Sequence, residues 1–107
     1  MEWLDAWNKR DLTKVMEHYA DDCELHSPFV VKNWNITEGT IRGKQKIQEH
    51  FAKSFETPRT GNTELLEILT GVNELLLIFG NGQKPASANL VSLNEDGKVR
   101  AVKAFYP

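Results

Sequence analysis

From residue 65 to residue 106 the chain consists of strand-length apolar runs separated by short turn signals, and this tail decides which folds are open to it. Residues 65–69 and 75–79 flank Gly71-Val72-Asn73. Asn81-Gly82 follows, and Asn94-Glu95-Asp96-Gly97 turns residues 88–93 back toward residues 99–106. Asn-Gly and Asp-Gly pairs supply the positive-φ residues that tight hairpins require. Strands joined by such short links run antiparallel, because a parallel neighbour needs a crossover of about a dozen residues or more. The pattern predicts a four-strand antiparallel meander.

The front of the chain carries a different period. Trp3, Leu4, Ala6 and Trp7 recur at helical spacing, and Asp11 stands where an N-cap would restart a helix before Leu12, Val15, Met16 and Tyr19. Gly43 precedes Ile47, Phe51 and Phe55, an i, i+4, i+8 stripe that predicts a third helix ending before Pro58. Between these, residues 23–27 alternate with period 2 and stop at Pro28, as a strand does at a residue that cannot donate to the ladder. Residues 29–35 read as an irregular excursion and residues 37–41 as a second short strand. Helices at the front and strands at the back predict an α+β fold: three N-terminal-half helices covering one face of a curved, mostly antiparallel sheet.

A chain of 107 residues and 12.2 kDa has room for one core, so residues 1–107 are read as a single domain. Folding at this mass leaves about 6,000 Å² of surface from about 17,700 Å² in the extended chain, enough burial to need neither metal nor disulfide. Thirteen Lys and Arg oppose fifteen Asp and Glu, with the signs interspersed, which argues against a nucleic-acid partner. No apolar run is long enough to span a membrane, and the start Met1-Glu2-Trp3-Leu4-Asp5 has no signal-peptide character. Cys23 is the sole cysteine, which excludes an internal disulfide and points to a reducing, cytoplasmic location. The Asn35-Ile36-Thr37 sequon is read as coincidental on the same grounds. His18, His26 and His50 have no Cys or carboxylate at ligand spacing, so neither a metal nor another cofactor is expected.

Several runs, taken in order, carry a resemblance. Ala6-Trp7-Asn8-Lys9-Arg10-Asp11-Leu12 comes first, then His18-Tyr19-Ala20-Asp21-Asp22 before a strand ending at Pro28. Ile41-Arg42-Gly43-Lys44 and Asp96-Gly97-Lys98-Val99 ahead of Phe105-Tyr106 complete the set. Their order and spacing resemble the nuclear transport factor 2-like superfamily, and within it the SnoaL-like and ketosteroid-isomerase-like branch, over the whole chain except a shortened first helix. The resemblance implies a cone-shaped, cystatin-like α+β barrel with a mostly apolar cavity, and homodimers formed through the outer sheet. Ketosteroid isomerisation requires a carboxylate base just before the strand-ending proline, with a tyrosine and a protonated aspartic acid stabilising the enolate oxygen. The resemblance sets those positions on Ser27, Trp3 and Asn89. It thus implies that the base and acid have been replaced and that this activity is lost. The Trp3 indole N–H and the Asn89 amide keep donors for a carbonyl oxygen.

By strand alternation Cys23, Leu25 and Ser27 share one face, and Glu24 and His26 share the other. His26 is the one candidate catalytic base by its intrinsic pKa, but on the outward face it reads first as a solvent or interface group. His18 and His50 lie beside the core stripes and read as boundary residues. Asp11 reads as a cap, and Asp21 and Asp22 as groups at a helix end that cap it or contact the following loop. Trp3, Trp7, Tyr19, Phe51, Val102 and Tyr106 supply walls for a cavity, with Ser27 and Asn89 as polar contacts. Trp34, in the excursion after Pro28, reads as a lid or a dimer contact.

Two functions follow. The first is a pocket for a small, largely apolar, carbonyl-bearing ligand, any turnover being isomerase-, cyclase- or hydrolase-like and metal-free. The alternative is a non-catalytic dimeric adaptor with a plugged cavity, its interface formed by residues such as Leu76, Ile78 and Ala88. An internal space of roughly 300 Å³ or more suits the first and a filled one the second.

Overall fold

A computed structural model describes residues 2–56, 64–81 and 84–107. The chain runs α1 (Glu2–Asn8), α2 (Leu12–Met16), β1 (Tyr19–His26), α3 (Pro28–Trp34), β2 (Thr40–Arg42) and α4 (Lys44–Phe55). It ends in β3 (Glu64–Thr70), β4 (Glu74–Asn81), β5 (Lys84–Leu93) and β6 (Val99–Phe105). The six strands form one sheet in the order β2-β1-β6-β5-β4-β3. Neighbours are antiparallel except β1 and β6, which run parallel. The predicted meander is therefore β3 to β6, and the early strand β1 closes onto its last member.

Register explains how the core forms. Leu75 on β4 pairs with Val91 on β5, Val91 with Val102 on β6, Val102 with Leu25 on β1, and Leu25 with Ile41 on β2. Directly paired residues share a face, so one apolar row crosses five strands. Val91, Val102, Leu25 and Ile41 are all buried. Ile47 and Phe51 of α4 and Val15 and Met16 of α2 join the same cluster, each buried aliphatic side chain contributing about 1.5–3 kcal/mol relative to exposure.

The turns are local. Asn94 Oδ1 accepts from the backbone N–H groups of Asp96 at 3.0 Å and Lys98 at 2.9 Å, and Gly97 takes a φ of +75° that other residues rarely adopt. Asp11 caps α2 as expected, accepting from the Lys14 N–H at 3.2 Å. Pro58 and Gly82, read as helix stop and turn, lie outside the described residues.

Three expectations are corrected. Residues 29–35 are not irregular: Ser27 accepts the Phe29 N–H at 3.2 Å, Pro28 occupies the first helical position where its missing N–H costs nothing, and Asn35 ends α3 in the left-handed region. Among the described residues there are consequently four helices. Tyr19 does not continue α2; the helix stops at Met16, and Tyr19 opens β1. Asp21 and Asp22 therefore cap nothing and stand exposed on β1.

Candidate functional site

The concave face of the sheet and the helices enclose a hollow of about 160 Å³. Trp3 and Trp7 enter it from α1, Tyr19, Leu25 and Ser27 from β1 and its end, and His50, Phe51 and Ser54 from α4. Phe79, Ser87, Asn89, Val102 and Ala104 complete its floor, and Phe29 and Tyr106 its rim. All eight residues read from the sequence as ligand contacts, namely Trp3, Trp7, Tyr19, Ser27, Phe51, Asn89, Val102 and Tyr106, border this one space. A second hollow of about 350 Å³ adjoins it, bordered by Leu75, Leu77, Val91, Leu93, Val99, His18 and Glu2. Trp3, Tyr19, Asn89 and Val102 belong to both.

The aromatic walls pack in chains. Trp3 stacks on Trp7 with centroids 5.9 Å apart, and Trp7 meets Phe51 edge-on at 5.0 Å and Phe55 at 4.9 Å. Such contacts hold α1 against α4 and fix the Trp3 ring. At the rim Phe29 and Tyr106 form a T-shaped pair 4.7 Å apart, both partly exposed. Trp34 is no lid. It is not among the residues bordering the hollow, lies under the Lys53 ammonium 5.3 Å from the ring centre, and donates its Nε1–H to His50 Nδ1 at 2.9 Å.

Polar chemistry in the hollow is neutral. Trp3 Nε1 is buried and makes no hydrogen bond of good geometry, although the Tyr19 hydroxyl is near enough to interact with it. Tyr19 lies beside it, its phenol pushed well above the usual range, first by burial, with the Trp3 indole acting in the opposite direction. The Ser27 hydroxyl accepts from Phe29 N–H as the α3 cap and retains its own proton to donate. Asn89 stands mid-strand between Leu77 and Ala104, on the inward row. Among the described residues no Asp or Glu borders the first hollow; Glu2 stands at the edge of the second. The arrangement can donate hydrogen bonds to a ligand oxygen but offers no carboxylate to remove a proton.

His26 lies elsewhere. On the opposite face of β1 its Nε2 sits 3.3 Å from Glu24 Oε2 and its Nδ1 2.8 Å from Thr40 Oγ1. Arg42 Nε donates to Glu24 Oε1 at 3.2 Å. This chain ties β1 to β2, and the Arg42 guanidinium, then His26, holds the Glu24 carboxyl below its ordinary range.

The sequence reading passed over His50, which is not a boundary residue: it is 4 % exposed and borders the hollow. The signal was present in its position three residues after Ile47, on the buried stripe of α4. Burial first, and the Lys53 charge second, lower its pKa and keep the imidazole neutral. His18 is half-buried at the second hollow.

A helix-lined cone of bent sheet around an apolar hollow defines the nuclear transport factor 2-like class. Residues 1–102 match the SnoaL-like domain family, and the chain belongs to it. A SnoaL-like protein of unknown function from Burkholderia thailandensis superposes with a TM-score of 0.89 at 27% identity, over 99% of this chain and 88% of that one. An NTF2-like protein of unknown function from Cytophaga hutchinsonii gives 0.72 at 13% identity, covering 99% and 84%. Another from Burkholderia xenovorans gives 0.73 at 17% identity, covering 98% and 77%; these last two likenesses bear on fold alone. No curated protein matches the chain. No helix among the described residues is long and apolar enough to cross a membrane.

Proposed function

We propose that the protein binds a compact, largely apolar ligand bearing a carbonyl-type oxygen, held by the Trp3 N–H and the Asn89 amide. Trp7, Tyr19, Phe51, Val102 and Tyr106 act as walls, and Ser27 as a further polar contact. The supporting observation is the buried Trp3 N–H without a well-formed hydrogen bond at the edge of an apolar hollow. An unmet buried donor costs about 1–3 kcal/mol, which an incoming acceptor oxygen recovers. Steroid isomerisation is excluded from this reading, since the resemblance assigns the base and acid positions of that chemistry to Ser27, Trp3 and Asn89. Isothermal titration with cyclohexanone tests it: Trp3→Phe and Asn89→Leu should each weaken binding about fivefold or more. Equal binding by all three proteins, or binding by none, defeats the proposal.

A homodimer through the outer sheet accompanies this reading. The register aligns Leu69, Leu76 and Leu90 in one row of the convex face, and Ile78, Ala88 and Phe105 in the next. Such contiguous apolar surface is what a sheet-to-sheet interface buries. The same surface would serve the adaptor alternative. The hollow of the proposed contacts, about 160 Å³, falls short of the 300 Å³ mark by itself; the adjoining one of about 350 Å³, which shares Trp3, Tyr19, Asn89 and Val102, supports a ligand over a plugged core. A cytoplasmic location completes the reading, supported by the free, buried Cys23. Sedimentation at micromolar concentration should give twice the 12.2 kDa chain mass; a monomer defeats the dimer.

A further inference from the structure

The contact between Trp34 and His50 fixes more than packing. An indole N–H can only donate, so His50 Nδ1, 2.9 Å from Trp34 Nε1, must present a lone pair. In the neutral ring the proton then resides on Nε2, at the opposite edge of the imidazole. Trp34 borders a separate small depression with Ile36, Ile41, Lys46 and Glu49, while His50 borders the main hollow. With Nδ1 taken up by Trp34, Nε2 is the ring nitrogen left to serve the hollow that His50 borders.

Protonation at Nδ1 would set two N–H groups against each other, and Lys53 already brings positive charge to that side. With its proton on Nε2 the ring has no lone pair to offer the hollow, so it cannot act there as a base. It can only donate. Serine hydroxyls from Ser27, Ser54 and Ser87 can turn to either role, but the Ser54 proton is committed to the His50 carbonyl at 3.1 Å. Beside the Trp3 indole and the Asn89 amide of the reading above, the imidazole of His50 is therefore a further fixed donor bordering this space.

We propose that His50, locked by Trp34 as the Nε2–H form, is a second donor point of the pocket beside the Trp3 and Asn89 pair, so that its ligand carries two neutral acceptor oxygens on a compact ring. Trp34 is a positioning residue for this donor. The inference rests on the pocket reading above and narrows its ligand class from monoketone to diketone-like compounds.

Two probes test it. In wild type, cyclohexane-1,4-dione should bind at least fivefold more tightly than cyclohexanone, beyond the statistical factor of about two for its symmetry. His50→Phe should bring the two probes to near parity. Should that variant fail to fold, Trp34→Phe leaves His50 in place and should still reduce the preference. Nitrogen-15 spectra of wild type should show His50 with a bare Nδ1 and a protonated Nε2 at neutral pH, and Trp34→Phe should abolish that single form. An Nδ1–H tautomer or an imidazolium overturns the proposal. So does equal affinity for the two probes in wild type, with the pocket itself then standing. Binding of neither probe removes the pocket and this inference together.

Discussion

Ser27 and Gly39 close a loop on each other: the Ser27 N–H donates to the Gly39 carbonyl at 2.9 Å, and a Cβ at Gly39 would lie 3.2 Å from the Ser27 carbonyl oxygen. The same Cβ would stand 3.1 Å from Val31 Cγ2. Gly39 also holds a φ of +68°, where an L side chain is strained by about 1–2 kcal/mol. This approach ties the start of α3 to the strand β2 and so places Ser27 at the hollow.

Gly39→Ala is therefore expected to lower stability by about 1–3 kcal/mol in urea unfolding. A loss below about 0.5 kcal/mol would show that the loop adapts without strain.

Ser27→Ala should cost about 1 kcal/mol through loss of the α3 cap, because the Phe29 N–H then has no acceptor. Ser27→Thr keeps a hydroxyl at the same place and should recover most of that. If the two variants are equally stable, the serine does not cap the helix in solution.

These residues show where sequence was enough and where it was not. The four strands of the meander were legible because period-2 runs and Asn or Gly turns are local signals. The helix α3 was not, although Ser27-Pro28 is a cap followed by a first-turn proline. Its Val30 is buried while Phe29, Val31 and Trp34 are partly exposed, so no clean apolar stripe appears. Tyr19 fitted both the helical period of Val15 and Met16 and the strand that follows; the end of α2 at Met16 decided it. The pocket walls came with the family resemblance. His50 did not, since its role depends on Trp34, sixteen residues away, on an element the sequence reading left irregular.

Cys23 supplies a probe of local opening. The thiol is fully buried and its pKa is raised, chiefly by burial, which suppresses the thiolate that reacts with disulfide reagents. Labelling with an aromatic disulfide reagent at pH 8 should be negligible in the folded protein and complete in urea. The native-state rate should fall when a pocket ligand binds, because binding stabilises the folded state by mass action. Rapid labelling of the native protein would contradict the closed packing of β1 against α4.

His50 gives the protein a defined response to mild acid. Its pKa is lowered in the fold, first by burial and then by Lys53, whereas in the unfolded chain it takes the ordinary value of 6.5. The unfolded state therefore binds the proton more readily. Stability is full above pH 6.5 and declines as pH falls below it, levelling once the folded ring itself titrates. Carboxylates act lower: Glu24, whose pKa is depressed by Arg42 and His26, loses its contribution only as pH falls below the ordinary carboxylate value of 4.5. Urea midpoints measured between pH 7.5 and 5 should thus fall in wild type, and the fall should shrink in His50→Phe. Glu24→Gln should leave this upper limb unchanged and flatten only the region below it. A wild-type curve flat from pH 7.5 to 5, or an identical slope in His50→Phe, would mean that the buried imidazole is not held neutral.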